Sequence, residues 1–477
     1  MLGVVPRSRW KFWLLLTVGL SFLVVGTISY IGWRQLVPGV SASLGPAPAY
    51  IGLRTPLELT LAAARGGVQS VELRVVQGTH KVVAVRQEFP PPRRREQRVQ
   101  LTVEGRALKL REGAATLEVY ARDDFWRPVR FDDRPALTQP VALDLTPPAL
   151  ELLSATHYLH PGGAGLVAYR VKGARRSGVT VGPRFFPGFP VGDPERGDHV
   201  ALIALPVDFS SASALLLTAE DEARNSVSRN VVNTILPRKF PAASVELSDE
   251  FLRRKLPELL PERGPVSDDQ LLAAFLRVNR EKRQEAEETK RQVAGKSEGK
   301  PLWQGAFVQP RNTKVFSNFA ERRSYRFRGQ EVDTQFHWGY DLASLQQSQV
   351  PAANSGVVVF ADPLTIYGHT VILDHGLGLA TLYGHLSRID VKAGDRVEKG
   401  AVLGRTGETG LAVGDHLHYE VLIQGMPVTP LEWWDAKWIR DRILRPLRDA
   451  GVALIEGDES KEEPAAPPRP PRRRPRR

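Results

Sequence analysis

From Phe12 to Trp33 the chain reads FWLLLTVGLSFLVVGTISYIGW, with no charged side chain. As a helix this run rises roughly 33 Å, enough to cross the hydrocarbon core of a bilayer. Trp10, Trp13, Tyr30 and Trp33 lie near its two ends, where amphipathic rings favour the membrane interface. Arg7, Arg9 and Lys11 precede it and only Arg34 follows closely, so the positive-inside rule assigns residues 1–11 to the cytoplasm. A cleaved signal peptide has a shorter apolar core and a small-residue cleavage site. This run is longer and ends in bulky aromatics. The expectation is therefore an uncleaved signal anchor over 12–33, single-pass in the inner (cytoplasmic) membrane, with the remainder on the periplasmic side.

The chain has 477 residues and no cysteine, which excludes disulfides, thiolate metal sites, iron–sulfur clusters and cysteine nucleophiles. Any metal must be held by His and carboxylates. The formal charge of +12 owes much to Arg469, Arg472, Arg473, Arg474, Arg476 and Arg477, so the body is only mildly basic and no nucleic-acid partner is expected.

Composition shifts divide the rest. Residues 47–145 and 146–240 read as two small β-sandwich-like modules. Short β-branched or alternating runs such as Val71–Val76 and Ala115–Ala121 are separated there by Gly/Pro/Asp clusters. Residues 245–299 read as a helical insert. Ser248 with Asp249 and Glu250 starts one helix, and Ser267 with Gln270 forms a capping box for another. The charged stretch beyond Asn279 reads as a solvated helix tail. Strands return over 302–436, and residues 461–477 have the composition of a disordered Pro/Arg-rich tail. The fold class expected is mainly β: a transmembrane helix, two β-modules, a helical insert and a C-terminal antiparallel β-sandwich.

Six of the ten histidines fall between His337 and His418. In GDHLHYEV, strand alternation puts His416 and His418 on one face, about 6.6 Å apart at Cα. In HWGYD, a fully extended chain would hold His337 and Asp341 about 13 Å apart, so Gly339 is expected to let the backbone turn and close that gap. Two His and a carboxylate leave an open coordination position, which suits a catalytic Zn²⁺ that acidifies a water. There is no HExxH helix. His385, in YGHL, is placed to join the same cavity as a non-ligand that orients water or donates to an oxyanion. His375, in DHGLG, reads as a turn or groove-wall side chain. His369 reads as a strand start. His80, His157, His160 and His199 have no partners and receive no role.

These motifs in this order, with VPAANSGVVVFAD, GHTVILDHGLGLATLYGHLS, VKAGDRVEKGAVLGRTGETG and PVTPLEWW, resemble the lysostaphin/LytM-type zinc metallopeptidases of bacterial peptidoglycan. The resemblance covers about a quarter of the chain, from about Thr313 to Trp434. It implies one Zn²⁺ held by His337, Asp341 and His418, with His416 as general base and His385 as the second catalytic histidine. It implies a membrane-anchored zinc metalloendopeptidase that hydrolyses peptide cross-links in cell-wall remodelling. The partners implied are peptidoglycan, the membrane through the N-terminal helix, and a division or wall-synthesis protein. Relatives that have lost their ligands act as non-enzymatic activators of a wall amidase, but here all five positions are filled. Two departures stand out: Ala320 where glycine is common, and Trp338 where the residue is usually smaller or charged. Both are expected to reshape the groove.

Overall fold

The apolar N-terminal run is helical from Trp10 to Leu36 in the computed structural model, which describes residues 10–130, 134–210, 214–261 and 266–454. Its 27 residues are long and apolar enough to cross a membrane and none is buried, although its last turn touches the protein: Trp33 meets the Phe125 ring (6.3 Å) and Arg34 Nε donates to Trp126 O (3.0 Å). The 461–477 tail lies outside the described residues, as do the first nine residues.

The chain is mainly β and forms two compact units. The first runs to Pro148 and includes Glu220–Ser226; the second takes the rest. In the first, a three-stranded sheet (Val40–Leu44, Arg54–Ala63, Glu96–Glu104) accompanies a five-stranded one that includes Val68–Gln77 and Gly113–Asp123. Strand Arg54–Ala63 alternates exposed and buried along its length. Its Leu57, Leu59 and Leu61 share one core with Leu73, Val75, Leu117 and Val119 of the larger sheet, as expected of facing sheets with period-2 patterning.

In the second unit, strands Ala149–Ala155, Ala164–Lys172 and Asp198–Ala204 belong to a four-stranded sheet. Its buried residues, among them Val167, Tyr169 and Ile203, are continuous with a core around Tyr383, Tyr419 and Trp433. Polar links run the same way: the Ala164 amide donates to Glu432 Oε2 (2.8 Å) and Thr429 N to Gly162 O (2.8 Å).

The sheet that carries the histidines is antiparallel, in the order Lys314–Ser317, Tyr340–Ala343, Leu417–Ile423, Leu379–Leu386, His369–Gly376, Gly356–Pro363, Arg396–Val397, with Met426–Val428 also paired to Leu417–Ile423. Beside it, Ala242–Leu247 pairs in parallel with Glu321–Phe327, which pairs antiparallel with Gln330–His337.

Between these strands lies the helical segment. Ser248 caps helix Asp249–Leu259, its Oγ accepting from Phe251 N (3.1 Å). The second helix begins at Leu271. The amide of Gln270 bonds the backbone carbonyl of Ser267, and no side-chain cap forms. That helix continues through a π-turn at Val278–Lys282 into Arg283–Ala294. Its charged end is solvated on one face only: Ala286, Lys290 and Ala294 are buried. They recur every fourth residue, which places them on one helical face.

Candidate metal and catalytic site

Alternation along one central strand builds most of the site. Leu417–Ile423 is buried throughout, flanked by Tyr340–Ala343 and Leu379–Leu386. Leu417, Tyr419, Val421 and Ile423 enter the core shared with the β-module, whereas Leu422 joins the core under the helices. His418 and Glu420 alternate with the first set and so face the helical side. Register pairs Asp341 with His418 on one flank and Gly384 with His418 on the other.

The chain turns between strands Gln330–His337 and Tyr340–Ala343 and brings His337 Nε2 to 2.9 Å from Asp341 Oδ1. Gly339 is needed here, but for space rather than for backbone conformation. It is not among the positive-φ glycines, and a Cβ on it would stand 2.5 Å from Tyr419 O and 2.8 Å from His418 Cε1 and Nε2.

His385 departs from the alternation. Leu379 and Tyr383 point into the core, so His385 would follow them. Its φ of +61° instead inverts the pattern: Leu386 enters the core and His385 faces the site. The left-handed region costs a non-glycine residue about 1–2 kcal/mol, a strain found often at functional sites. The His385 ring lies 4.8 Å from His416 and 5.7 Å from His418, centroid to centroid. His416 precedes the strand, with Nε2 3.5 Å from Asp341 Oδ1.

All five residues named from the sequence therefore meet. His337, Asp341 and His418 are a group able to hold a cation. The outer hydrogen bonds show why one would fit. His337 Nδ1 faces the Asn318 carbonyl at 2.9 Å and must donate to it, which leaves the lone pair of the neutral ring on Nε2. His418 Nε2 donates to Glu420 Oε1 (3.0 Å), which leaves Nδ1 bare. When both rings are neutral, His337 Nε2, His418 Nδ1 and Asp341 Oδ1, 2.9–3.0 Å apart, are three converging acceptors that need a cation or a proton between them. Such a cluster is relieved by a cation, and two imidazoles with one carboxylate suit zinc.

The protonation tendencies agree. Burial would raise the Asp341 carboxyl, but the histidines around it, His337 foremost, hold it well below the usual carboxylate range. Burial lowers His337. Burial would lower His418 as well, yet its bonds to Asp341 and Glu420 raise it, so a proton there supplies positive charge to the trio. Burial and the charges of His416 and His418 push His385 well down. His385 Nδ1 donates to Thr409 O (2.8 Å) and His416 Nδ1 to Gly414 O (2.7 Å). A neutral ring at either position therefore carries its lone pair on Nε2.

Several supporting residues escaped the sequence reading. Arg323 Nη2 donates to Asp341 Oδ2 (2.9 Å) while its Nε holds Glu321 (3.1 Å), leaving Oδ1 for the trio. Glu420 was legible in principle, two residues beyond His418 on the same strand face. Lys290, bonded to Glu420 Oε2 at 2.9 Å, had no local signal. Burial would raise Glu420, but the Lys290 ammonium and the His418 ring hold it below the ordinary range. His375 is not in a turn or a groove wall: it lies fully buried in strand His369–Gly376, bonded to Ser355 O (2.7 Å) and Thr381 Oγ1 (2.8 Å). His369 does begin that strand.

The site opens into a cavity of about 680 Å³. Phe316 and Val413 lie exposed in its lining, and Arg283 enters from the helical segment. The Arg283 guanidinium is held by the carbonyl and side-chain oxygens of Asn279 rather than by a carboxylate. Neither departure noted from sequence reaches the cavity lining. Trp338 stacks on Phe336 (5.4 Å), and Ala320 occupies a left-handed turn (φ +57°), its amide on His337 O (2.7 Å).

Residues 335–430 match the model of peptidase family M23. DD-carboxypeptidase/endopeptidase Mpg of Neisseria meningitidis serogroup B is 37% identical over 117 residues, 24% of this chain and 27% of that protein. Peptidoglycan DD-endopeptidase ShyA of Vibrio cholerae is 35% identical over 119 residues, 25% of this chain and 27% of that protein. The chain thus spans about a quarter of the length of these curated relatives. Among solved structures, a putative peptidase M23 from Pseudomonas aeruginosa is 21% identical, covering 58% of this chain and 95% of that one, with a TM-score of 0.36.

Proposed function

Starting from a C-terminal domain of peptidase family M23, we propose that the chain is a membrane-anchored zinc metalloendopeptidase that hydrolyses peptide cross-links of bacterial peptidoglycan. The observation that carries this reading is the convergence of His337, Asp341, His418, His416 and His385 at the floor of one open cavity. His337, Asp341 and His418 hold one Zn²⁺, which when bound supplies Lewis acidity to the scissile carbonyl and to the attacking water. Arg323 keeps Asp341 turned so that one oxygen faces the ion.

His416 is the general base. Its Nδ1–H is committed to Gly414 O, so Nε2 receives the proton of the attacking water and later returns it to the leaving amine. His385 presents Nε2 beside it and, as an acceptor, orients the attacking water. The exposed Phe316 and Val413 give the peptide an apolar rim, and Arg283 offers a cation to a carboxylate of the stem peptide.

Helix Trp10–Leu36 is the anchor. With Arg7, Arg9 and Lys11 on the cytoplasmic side, the catalytic domain faces the periplasm and its substrate.

The test is digestion of cross-linked peptidoglycan by the purified zinc-loaded chain, with muropeptides resolved by chromatography. Cross-linked dimers should decline to monomers, and His418→Ala should abolish the conversion. Dimers undiminished by the wild-type protein overturn the reading.

A further inference from the structure

The helix Arg283–Ala294 lies outside the stretch that matches the peptidase family, 335–430, yet it sends one side chain to the back of the metal site. Lys290 is fully buried. Its ammonium has three donors and three partners: Glu287 Oε2 at 2.7 Å, Glu420 Oε2 at 2.9 Å and Tyr367 Oη at 3.0 Å. The Tyr367 hydroxyl in turn donates to Glu287 Oε1 (2.5 Å), and its ring lies 5.2 Å from that of His418. Burying an ammonium costs several kcal/mol, which only complete pairing offsets. The pairing is complete, and it ends on the carboxylate that orients His418.

Glu420 has no oxygen to spare. Oε2 accepts from Lys290 and Oε1 accepts from His418 Nε2, so the carboxylate cannot rotate without breaking one of the two bonds. We propose that Lys290 is a positioning residue for metal binding: by clamping Glu420 it locks the His418 ring with Nδ1 toward His337 and Asp341, which makes the Leu271–Ala294 helix an integral part of the metal centre. Without that ammonium, Glu420 and Glu287 are left facing each other with no cation between them. Glu420 turns away from its like charge, and His418 Nε2–H loses its acceptor and its fixed orientation. Partners that orient metal-bound histidines are typically worth 10–100-fold in metal affinity.

The inference rests on the reading that His337, Asp341 and His418 hold zinc, and the test separates the two. The full chain in detergent is titrated with Zn²⁺ against a chelator of known affinity, as wild type, Lys290→Gln, Glu420→Gln and the double variant. Lys290→Gln should weaken binding about 10–100-fold, and the double variant should bind no more weakly than Glu420→Gln alone, because Lys290 acts through Glu420. An affinity for Lys290→Gln within twofold of wild type, or losses that simply add, overturns the proposal. A lower melting temperature of the metal-free protein with unchanged affinity marks a merely structural lysine and also overturns it. Should circular dichroism show Lys290→Gln unfolded, Glu420→Gln decides alone, and an affinity within twofold refutes the clamp. A wild-type chain that binds no zinc overturns the metal reading and this inference with it.

Discussion

Gly339→Ala adds one methyl group where the chain has no room for it. An ideal Cβ at this position lies 2.8 Å from both Cε1 and Nε2 of His418 and 2.5 Å from Tyr419 O. Non-bonded carbons settle at about 3.5–4.0 Å, so the imidazole must retreat by about 0.7 Å or more. The carbonyl of Tyr419 cannot yield instead, because that residue is paired with Tyr340 on one side and Tyr383 on the other in the middle of the sheet. The strain therefore falls on the His418 ring or on the turn that carries His337 and Asp341, and either movement opens the trio. Metal–ligand distances tolerate only about 0.2 Å. Overpacking should cost about 1–3 kcal/mol of stability, and zinc affinity should fall by about tenfold to a hundredfold, comparable with losing an orienting partner. Chelator competition measures the affinity, and urea unfolding of the metal-free protein measures the stability. Gly384→Ala is the control: its Cβ would meet Tyr367 O at 3.2 Å and His418 Cβ at 3.5 Å, contacts that small shifts relieve. If Gly339→Ala binds zinc as tightly as wild type, or no more weakly than Gly384→Ala, the steric account of this glycine is wrong.

Other consequences are as direct. His375 is buried neutral with a pKa pushed down to about 4 from 6.5. Between those values the unfolded chain binds the extra proton, so stability present above pH 6.5 is lost as pH falls toward 4, by about 3 kcal/mol. Urea unfolding of the metal-free protein at pH 7 and pH 4.5 should show this loss, and His375→Gln should remove most of it; an unchanged pH slope in the variant refutes the assignment. Because His418 is raised above its ordinary value while it carries the trio's proton, zinc must displace that proton. Apparent affinity should weaken about tenfold per pH unit below that pKa, and calorimetry in buffers of different ionisation enthalpy should detect proton release; zero release at pH 6 contradicts it. Arg283→Gln should raise KM about tenfold or more for a stem peptide with a free carboxylate, the worth of one charge-assisted bond, with kcat little changed. An equal rise for the amidated peptide would remove Arg283 from substrate recognition.

Much of this protein could be read in one dimension because the relevant physics is local. An uncharged run long enough for a bilayer core is recognisable without any folded partner, and the chain is helical there from Trp10 to Leu36. Strand alternation put His418 in a cavity opposite Tyr419, and the motifs around His337, Asp341, His385 and His416 named the five side chains that the fold assembles. What local pattern could not supply were features that depend on residues far apart along the chain. Alternation predicts the wrong face for His385; only the left-handed kink, held by its bond to Thr409, turns the ring to the site. Gly339 reads locally as a flexible turn, but its requirement comes from a ring 79 positions later pressed against its α-carbon (His418, 418 minus 339). The charged tail of the helical insert looks solvated because its composition is, on average, hydrophilic. Burial is decided instead by whether each charge finds a partner in the folded state, and for Lys290 that partner is Glu420, in a strand whose proximity only the tertiary structure creates.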